Sequence, residues 1–140
     1  MKEKMNKTSI IMGIVWGVLA IFTMLAVKVI APVCAGMVET AAGKQIPMKC
    51  HYADVALMMM AVLMLAAGVT TVVTKQKTAC GIMVIVISVL MFLVPNAEMG
   101  IGICANLDMA CNMTVPFVKM SAAAGIVSGV VALILDKKEK

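Results

Sequence analysis

The residues best suited to chemistry lie in two short stretches of the chain, 48–52 and 109–113. The first contains the only histidine, His51, next to a cysteine, and the carboxylate of Asp54 follows three residues later. The second repeats the cysteine and the methionine but has Asn112 in the place of the histidine. Thioether, thiolate and imidazole groups form a soft ligand set that suits copper and also serves iron or haem. The candidate ligands are Met48, Cys50, His51, Met109, Cys111 and Met113, with Asp54 placed to orient the imidazole by a hydrogen bond.

The cysteines offer a competing interpretation, a disulfide framework. Cys34 precedes the first stretch and Cys104 precedes the second, so each stretch has a cysteine upstream of its own. Four cysteines allow three connectivities, and the local one pairs Cys34 with Cys50 and Cys104 with Cys111. Local pairing closes the shortest loops at the lowest entropic cost, whereas the other pairings would join the two stretches to each other. Because a disulfide-bonded cysteine does not ligate a metal as a thiolate, the disulfide and metal hypotheses compete.

Paired cysteines also raise a third hypothesis, a quinone-linked thiol oxidoreductase. Membrane disulfide oxidases combine four helices with cysteine pairs outside the cytoplasm, and they depend on a Cys-x-x-Cys motif with an activated thiol. In this chain the spacings are 16 and 7 residues, and no Cys-x-x-Cys occurs. The chain also has no arginine, no glycine-rich phosphate loop and one histidine to serve every role. A non-enzymatic function is therefore expected.

The elements that position these residues are membrane helices. Hydrophobic residues make up 63% of the 140 residues and charged residues 14%, whereas soluble domains average roughly half and a quarter. The first apolar run covers ~33 Å as a helix, enough for a hydrocarbon core of about 30 Å, and it is too long for the apolar part of a cleaved signal peptide. The third run is the shortest, at ~24 Å. The predicted spans are 9–30, 55–74, 79–94 and 117–135, joined by outer loops at 31–53 and 95–115 and by an inner turn at 75–78.

These spans predict an all-α integral membrane four-helix bundle, made of two helical hairpins that form a weak internal repeat. Asp54 is predicted to cap the second helix and Thr78 the third, because both side chains can accept a hydrogen bond from a free backbone N–H. Thr114, followed by Pro116, predicts the start of the fourth helix. Cys80 falls in the third span and is expected to be a buried, apolar-like residue.

The distribution of lysines predicts the orientation of the bundle. All twelve basic residues are lysine, the net charge is +5, and eight lysines lie in the N-terminus, the inner turn and the C-terminal tail. Positive residues concentrate on the cytoplasmic side of membrane proteins, so both termini are predicted to be cytoplasmic and both cysteine-bearing loops extracytoplasmic. Topology thus explains the basic charge, and no nucleic-acid partner is expected. Two charges, Lys28 and Lys119, lie within the predicted spans, and both are near a span end, where a lysine can reach the membrane surface.

Two helices carry small residues at packing distance. Gly13 and Gly17 form a GxxxG step in the first span, and Ser121, Gly125 and Gly129 form a longer ridge in the fourth. Small residues let membrane helices approach closely, so the first and fourth helices are expected to touch, either within one bundle or across a homodimer. The alternative is that glycine is simply frequent in membrane helices.

Several of these segments together resemble one known family. The Pro-Val-Cys of 32–34, the Met-Lys-Cys-His of 48–51, the Met-Ala-Cys of 109–111 and the Thr-Val-Pro of 114–116 are similar to segments of the DUF4418 family of small bacterial membrane proteins. The resemblance covers nearly the whole chain. It implies a four-helix protein of the bacterial cytoplasmic membrane with no established activity, associated with ABC-type permeases of the FtsX/MacB kind. A second Cys-His pair is expected where this chain has Asn112.

The hypothesis that these patterns favour is a non-enzymatic membrane protein whose disulfide-stabilised outer loops form an interaction surface, with an ABC-type transporter as the partner. The alternatives are a metal- or haem-handling membrane protein that uses His51 with methionines and cysteines, and the quinone-linked oxidoreductase. His51 is the residue of these stretches for which the disulfide hypothesis supplies no role.

Overall fold

The structure, a computed structural model, describes residues 2–30, 37–39, 41–47, 49–96, 98–100 and 110–139. Four helices dominate it, which confirms the all-helical class: α1 (Lys2–Leu25), α2 (Lys49–Thr74), α3 (Lys77–Leu93) and α4 (Ala110–Glu139). Helix α1 continues without a break into a π-helical segment, Ala26–Ile30. Two short strands, β1 (Met37–Glu39) and β2 (Gln45–Pro47), pair antiparallel in the first predicted loop. The sequence analysis did not predict this ribbon, because three residues per strand are too few for an alternating pattern to stand out.

Three of the helices are long and apolar enough to cross a membrane. The candidate spans are Lys7–Val29 in α1 with its π-helical continuation, His51–Thr74 in α2 and Asn112–Glu139 in α4. Helix α3 is apolar but has 17 residues, which gives it a length of roughly 26 Å against a hydrocarbon core of about 30 Å. The chain is therefore a membrane protein, and the shortness predicted for the third helix is confirmed.

The helices pack as a closed ring in which neighbours are antiparallel. Helix α1 packs most extensively on α2 and α3 on α4, while α2 also contacts α3 and α1 contacts α4. Between α1 and α4, Trp16 donates its indole N–H to Ser128 at 3.1 Å, and Thr23 shares a hydrogen bond with Ser121 at 2.6 Å. Since the partner number falls along α4 as the number rises along α1, these two helices are antiparallel. The predicted contact between the first and fourth helices thus occurs within one chain, through hydroxyl and indole groups.

The two ends of the bundle differ. At one end α1 begins, α4 ends and a two-residue connection joins α2 to α3; we call this the turn end. There Lys77 forms an ion pair with Glu139, and Thr78 donates a hydrogen bond to Asp136. At the opposite end the π-helical segment and α3 end, and α2 and α4 begin; we call this the loop end. The four candidate disulfide cysteines belong in sequence to the segments at the loop end.

The interior is filled by large side chains. Trp16, Met64 and Met91 have no exposed surface, and Val27 and Val84 are equally buried. Water-driven burial contributes little between membrane helices, so close van der Waals packing and interhelical hydrogen bonds hold such a bundle together. Methionine suits this role because its flexible side chain fills irregular gaps between helices.

Three glycines of the predicted ridges, Gly13, Gly125 and Gly129, contact the helix that is next to their own in sequence. A Cβ added to Gly13 would collide with the Val72 side chain and lie 2.8 Å from the carbonyl oxygen of Gly68 in α2, whereas one added to Gly17 would meet nothing within 4 Å. In α4, Gly129 lies against Gly81 of α3, whose carbonyl oxygen would be 3.1 Å from an added Cβ. Gly125 faces Ser88 of α3, and Ser121 bonds to α1 as described.

Three predicted helix starts are wrong. Helix α2 begins at Lys49, so Asp54 lies inside the helix and does not cap it. Helix α4 begins at Ala110, which places Thr114 and Pro116 within its first turns. Membrane helices accept an internal proline because neighbouring groups satisfy the freed carbonyl. In α3 the N-cap residue is Gln76, and the Thr78 hydroxyl bonds to Asp136 instead.

Candidate functional site

The most unusual polar feature of the described bundle is an ion pair near the loop end. The ammonium of Lys28 lies 2.7 Å from Oδ2 of Asp54 and donates a hydrogen bond to it. The Lys28 side chain is 53% exposed, but that of Asp54 is only 7% exposed. Both residues lie within the candidate membrane spans of their helices, close to the ends of those spans. Ionisable groups at this depth are costly and mark functional sites in membrane proteins.

Local sequence explains how the two charges meet. Helices α1 and α2 are antiparallel neighbours, since Ser9 near the start of α1 donates a hydrogen bond to the carbonyl of Thr71 near the end of α2. The far end of the π-helical segment therefore lies beside the first turns of α2. Lys28 occupies the middle of that segment, where the wider helical turn changes the direction of the side chains. Single π turns in α-helices are frequent at functional sites.

Asp54 is only half satisfied by this pair. Its Oδ2 accepts the hydrogen bond from Lys28, while Oδ1 is buried and has no hydrogen-bond partner among the described residues. An unpaired buried carboxylate oxygen costs free energy, more than a neutral group would, because the water it lost is not replaced. A hydrogen-bond donor that reached Oδ1 would remove this cost, which would add to its binding free energy.

The ion pair closes one end of an apolar groove. The groove has a volume of about 590 Å³ and is open to the side of the bundle. Its wall is one face of α2, and its lining residues are Lys28, Asp54, Val55, Met58, Met59, Val62 and Leu63. The α2 members recur three or four positions apart, which places them on one side of the helix. The groove thus runs from the charged end toward the middle of the membrane.

The single histidine lies one turn before Asp54 on α2. His51 and Tyr52 are both exposed, and their rings meet edge to face with centroids 6.1 Å apart. Oδ2 of Asp54 accepts from Lys28, and Oδ1 has no partner within the described part of the chain, so in this structure Asp54 is not bonded to the His51 ring. The loop end therefore presents an imidazole and a phenol to the surroundings, with the ion pair below them.

Comparison with protein families shows to which family the chain is related. The sequence profile described as "Domain of unknown function (DUF4418)" matches residues 9–135. The chain belongs to the DUF4418 family. Comparisons with curated proteins and with solved structures gave no match. The family resemblance is thereby confirmed, and the DUF4418 description assigns no activity.

In this DUF4418 member the candidate ligands are only partly described. His51 is exposed at the start of α2, and Met113 is 69% exposed in the first turns of α4. The described residues contain no group of three or more His, Cys, Asp or Glu side chains that could hold a metal ion. The remaining candidates lie outside the described residues or have side chains outside them: Cys34, Met48, Cys50, Cys104, Met109 and Cys111.

Cys80 of this DUF4418 chain lies on α3 near the turn end. It is 7% exposed and free, as expected for a buried residue of apolar character. Its sulfur lies 3.7 Å from the hydroxyl of Thr70 on α2.

Sequence reasoning missed the ion pair as a unit. Lys28 was interpreted as a charge near the end of a span, and Asp54 as the cap of the second helix and a hydrogen-bond partner for His51. A usable signal was present, because two opposite charges lie at matching ends of consecutive apolar runs. In an antiparallel hairpin such ends are at the same depth, so the charges are candidates for pairing.

Proposed function

We propose that this chain is a non-enzymatic integral membrane protein whose loop end docks on a partner membrane protein. The observation that carries the proposal is the contrast between a closed interior and a chemically varied loop end. The interior is packed with Trp16, Met64 and Met91, and interhelical hydrogen bonds use the hydroxyls of Thr23 and Ser121. Such a bundle is suited to support a surface rather than to conduct a solute.

The loop end supplies the groups that a docking surface needs. Exposed aromatic and imidazole side chains, Tyr52 and His51, begin α2, and the ribbon of β1 and β2 precedes them. Tyrosine is enriched at the centres of interfaces because it combines a large apolar face with a hydrogen-bonding tip. In the proposal, disulfides among Cys34, Cys50, Cys104 and Cys111 hold this surface, so that little ordering entropy is lost on binding.

The lysine distribution and the family resemblance complete the proposal. The turn end, with the N-terminus and the tail, faces the bacterial cytoplasm, and the loop end faces outward. All four helices, including the short α3, span the membrane. The partner in this proposal is an ABC-type permease of the FtsX/MacB kind.

A metal- or haem-handling function is the second candidate. The observation that favours it is the exposure of His51 and Met113 at the starts of α2 and α4, on the same end of the bundle. It requires the cysteines of that end to be reduced, and it predicts copper, iron or haem that is lost when His51 is replaced.

Site-specific photo-crosslinking tests the docking proposal. A photoreactive phenylalanine at Tyr52 is expected to give one discrete adduct in cells, identified by mass spectrometry as an ABC-type permease subunit. The matched control is the same amino acid at Thr74, which is also exposed and lies on α2 at the turn end. If both positions give the same adducts, or if position 52 captures only lipid or a second copy of this chain, the docking proposal is wrong.

A further inference from the structure

We propose that the groove beside Lys28 and Asp54 binds a zwitterionic phospholipid whose headgroup ammonium carries an N–H donor, namely phosphatidylethanolamine. This inference concerns the flank of α2 and does not depend on the docking role of the loop end.

The polar end of the groove matches a zwitterionic headgroup. The pair of Lys28 and Asp54 is neutral as a whole and offers one group of each kind to a ligand. Lysine has three N–H donors, of which Asp54 takes one in the described structure, and the side chain is 53% exposed. Asp54 contributes a carboxylate oxygen that accepts no hydrogen bond from any described residue. A phosphate can accept from Lys28 while an ammonium one ethyl unit away donates to Asp54, and such charge-assisted bonds are the strong ones.

The apolar part of the groove matches an acyl chain. From Asp54 to Leu63 the face of α2 extends roughly 14 Å, close to the ~15 Å of one leaflet of a 30 Å hydrocarbon core. Along this path Val55, Met59 and Val62 are 41%, 65% and 53% exposed. The ion pair lies near the ends of the candidate spans, which is the depth of the headgroup boundary. The site for the headgroup therefore lies near the membrane surface and the site for the acyl chain toward the membrane middle, as in a phospholipid of the bilayer.

Access to the free oxygen needs a small rearrangement of side chains. Oδ1 of Asp54 has almost no exposed area of its own, so a ligand must displace a neighbour to reach it. Two lining neighbours, Met58 and Lys28, have long unbranched side chains that change rotamer easily. The proposal assigns the rearrangement to these two side chains and requires no movement of the helix backbones.

The headgroup chemistry provides a test on the unmodified protein. The full chain in detergent is mixed with equal amounts of phosphatidylethanolamine, its N-methyl and N,N-dimethyl forms and phosphatidylcholine, and retained lipid is counted by native mass spectrometry. The first three keep an N–H donor and phosphatidylcholine has none, at the same net charge. We expect the first three to be retained roughly tenfold or more over phosphatidylcholine, the ratio for one hydrogen bond to a charged group. Equal retention of all four lipids would overturn the proposal.

Variants and a further lipid locate the site and identify its ligand. Asp54→Asn keeps the shape but removes the anion, and is expected to abolish the preference. Asp136→Asn makes the same change at the turn end, and this variant is expected to keep the preference for lipids with an N–H donor. Stronger retention of phosphatidylglycerol than of phosphatidylethanolamine would show attraction to Lys28 alone and would contradict the proposal. If the groove instead retained a helix of another membrane protein and excluded lipid, the proposal would also be contradicted. Soluble phosphoethanolamine is expected not to compete, because it lacks the acyl chain.

Discussion

Replacing Lys28 with methionine is expected to lower the free energy of unfolding by about 3 kcal/mol. Methionine has a similar length, so the main change is the loss of the positive charge 2.7 Å from Asp54. Removal of one partner of a buried pair costs roughly 3–5 kcal/mol, because an uncompensated charge remains inside the protein. The lower end applies here, since Lys28 is half exposed and solvent screens part of the interaction. The measurement is equilibrium unfolding of the purified protein in detergent, followed by circular dichroism.

Two further variants separate the buried charge from the loss of a lysine. Lys7→Met removes a lysine whose pair with Glu3 is exposed and 3.9 Å long, so no measurable change is expected. The double variant Lys28→Met with Asp54→Leu removes both charges and is expected to recover most of the lost stability, because no unpaired group remains. A double variant as unstable as Lys28→Met would contradict the interpretation of the pair as a buried charge with its counterion.

Replacing Gly13 with alanine is expected to destabilise the bundle by about 1–3 kcal/mol, the cost of overpacking a well-packed interior. The added methyl group would collide with the Val72 side chain and lie 2.8 Å from the backbone oxygen of Gly68. A side chain can rotate away, but a backbone oxygen moves only with its helix. The α1–α2 contact must therefore open, which also disturbs the neighbouring hydrogen bond from Ser9 to Thr71. The same unfolding measurement detects the change.

Gly17 provides the matched control, because it lies one turn further along the same helix and an added methyl group there would meet nothing within 4 Å. Alanine is the better helix former by about 0.5–1 kcal/mol, so Gly17→Ala is expected to be neutral or mildly stabilising. Equal effects of the two substitutions would show that helix propensity, rather than contact with α2, controls both positions.

The fold was largely predictable, and the helix ends were not. Long apolar runs separated by polar segments can form little besides membrane helices, so the four helices follow from composition and length. The position of a helix end depends on whether the helix includes the polar residues that flank its apolar run. Helix α2 includes residues 49–54, although Lys49, His51 and Asp54 interrupt the apolar pattern. The predicted start of the fourth helix at Thr114 and Pro116 was wrong for the same reason. The preference of proline for a first turn is weaker than the support that tertiary contacts give to a longer helix.

The site was predictable in its residue types but not in its pairing. His51 and the cysteines stand out in sequence because they are rare, and that rarity indicates where function is concentrated. Opposite charges at matching ends of consecutive apolar runs make Lys28 and Asp54 candidates for pairing. Their actual contact depends on the register between two helices and on a π-helical segment, and neither leaves a periodic signal. The sequence also does not tell which helix packs against each glycine ridge. Gly13 and Gly129 allow any helix to approach closely, but they do not specify which one.

Counting reactive thiols tests most directly whether the loop end is a disulfide-stabilised docking surface or a thiolate site. The purified protein is denatured and alkylated with and without a reductant, and the attached groups are counted by mass. The chain has five cysteines, and Cys80 is free and buried. We predict one alkylated cysteine, Cys80, before reduction and five after it. Five reactive thiols without reductant, together with copper or haem that is lost in His51→Ala, would contradict the docking function. A mixed disulfide with a thioredoxin-like protein would contradict it in favour of the oxidoreductase.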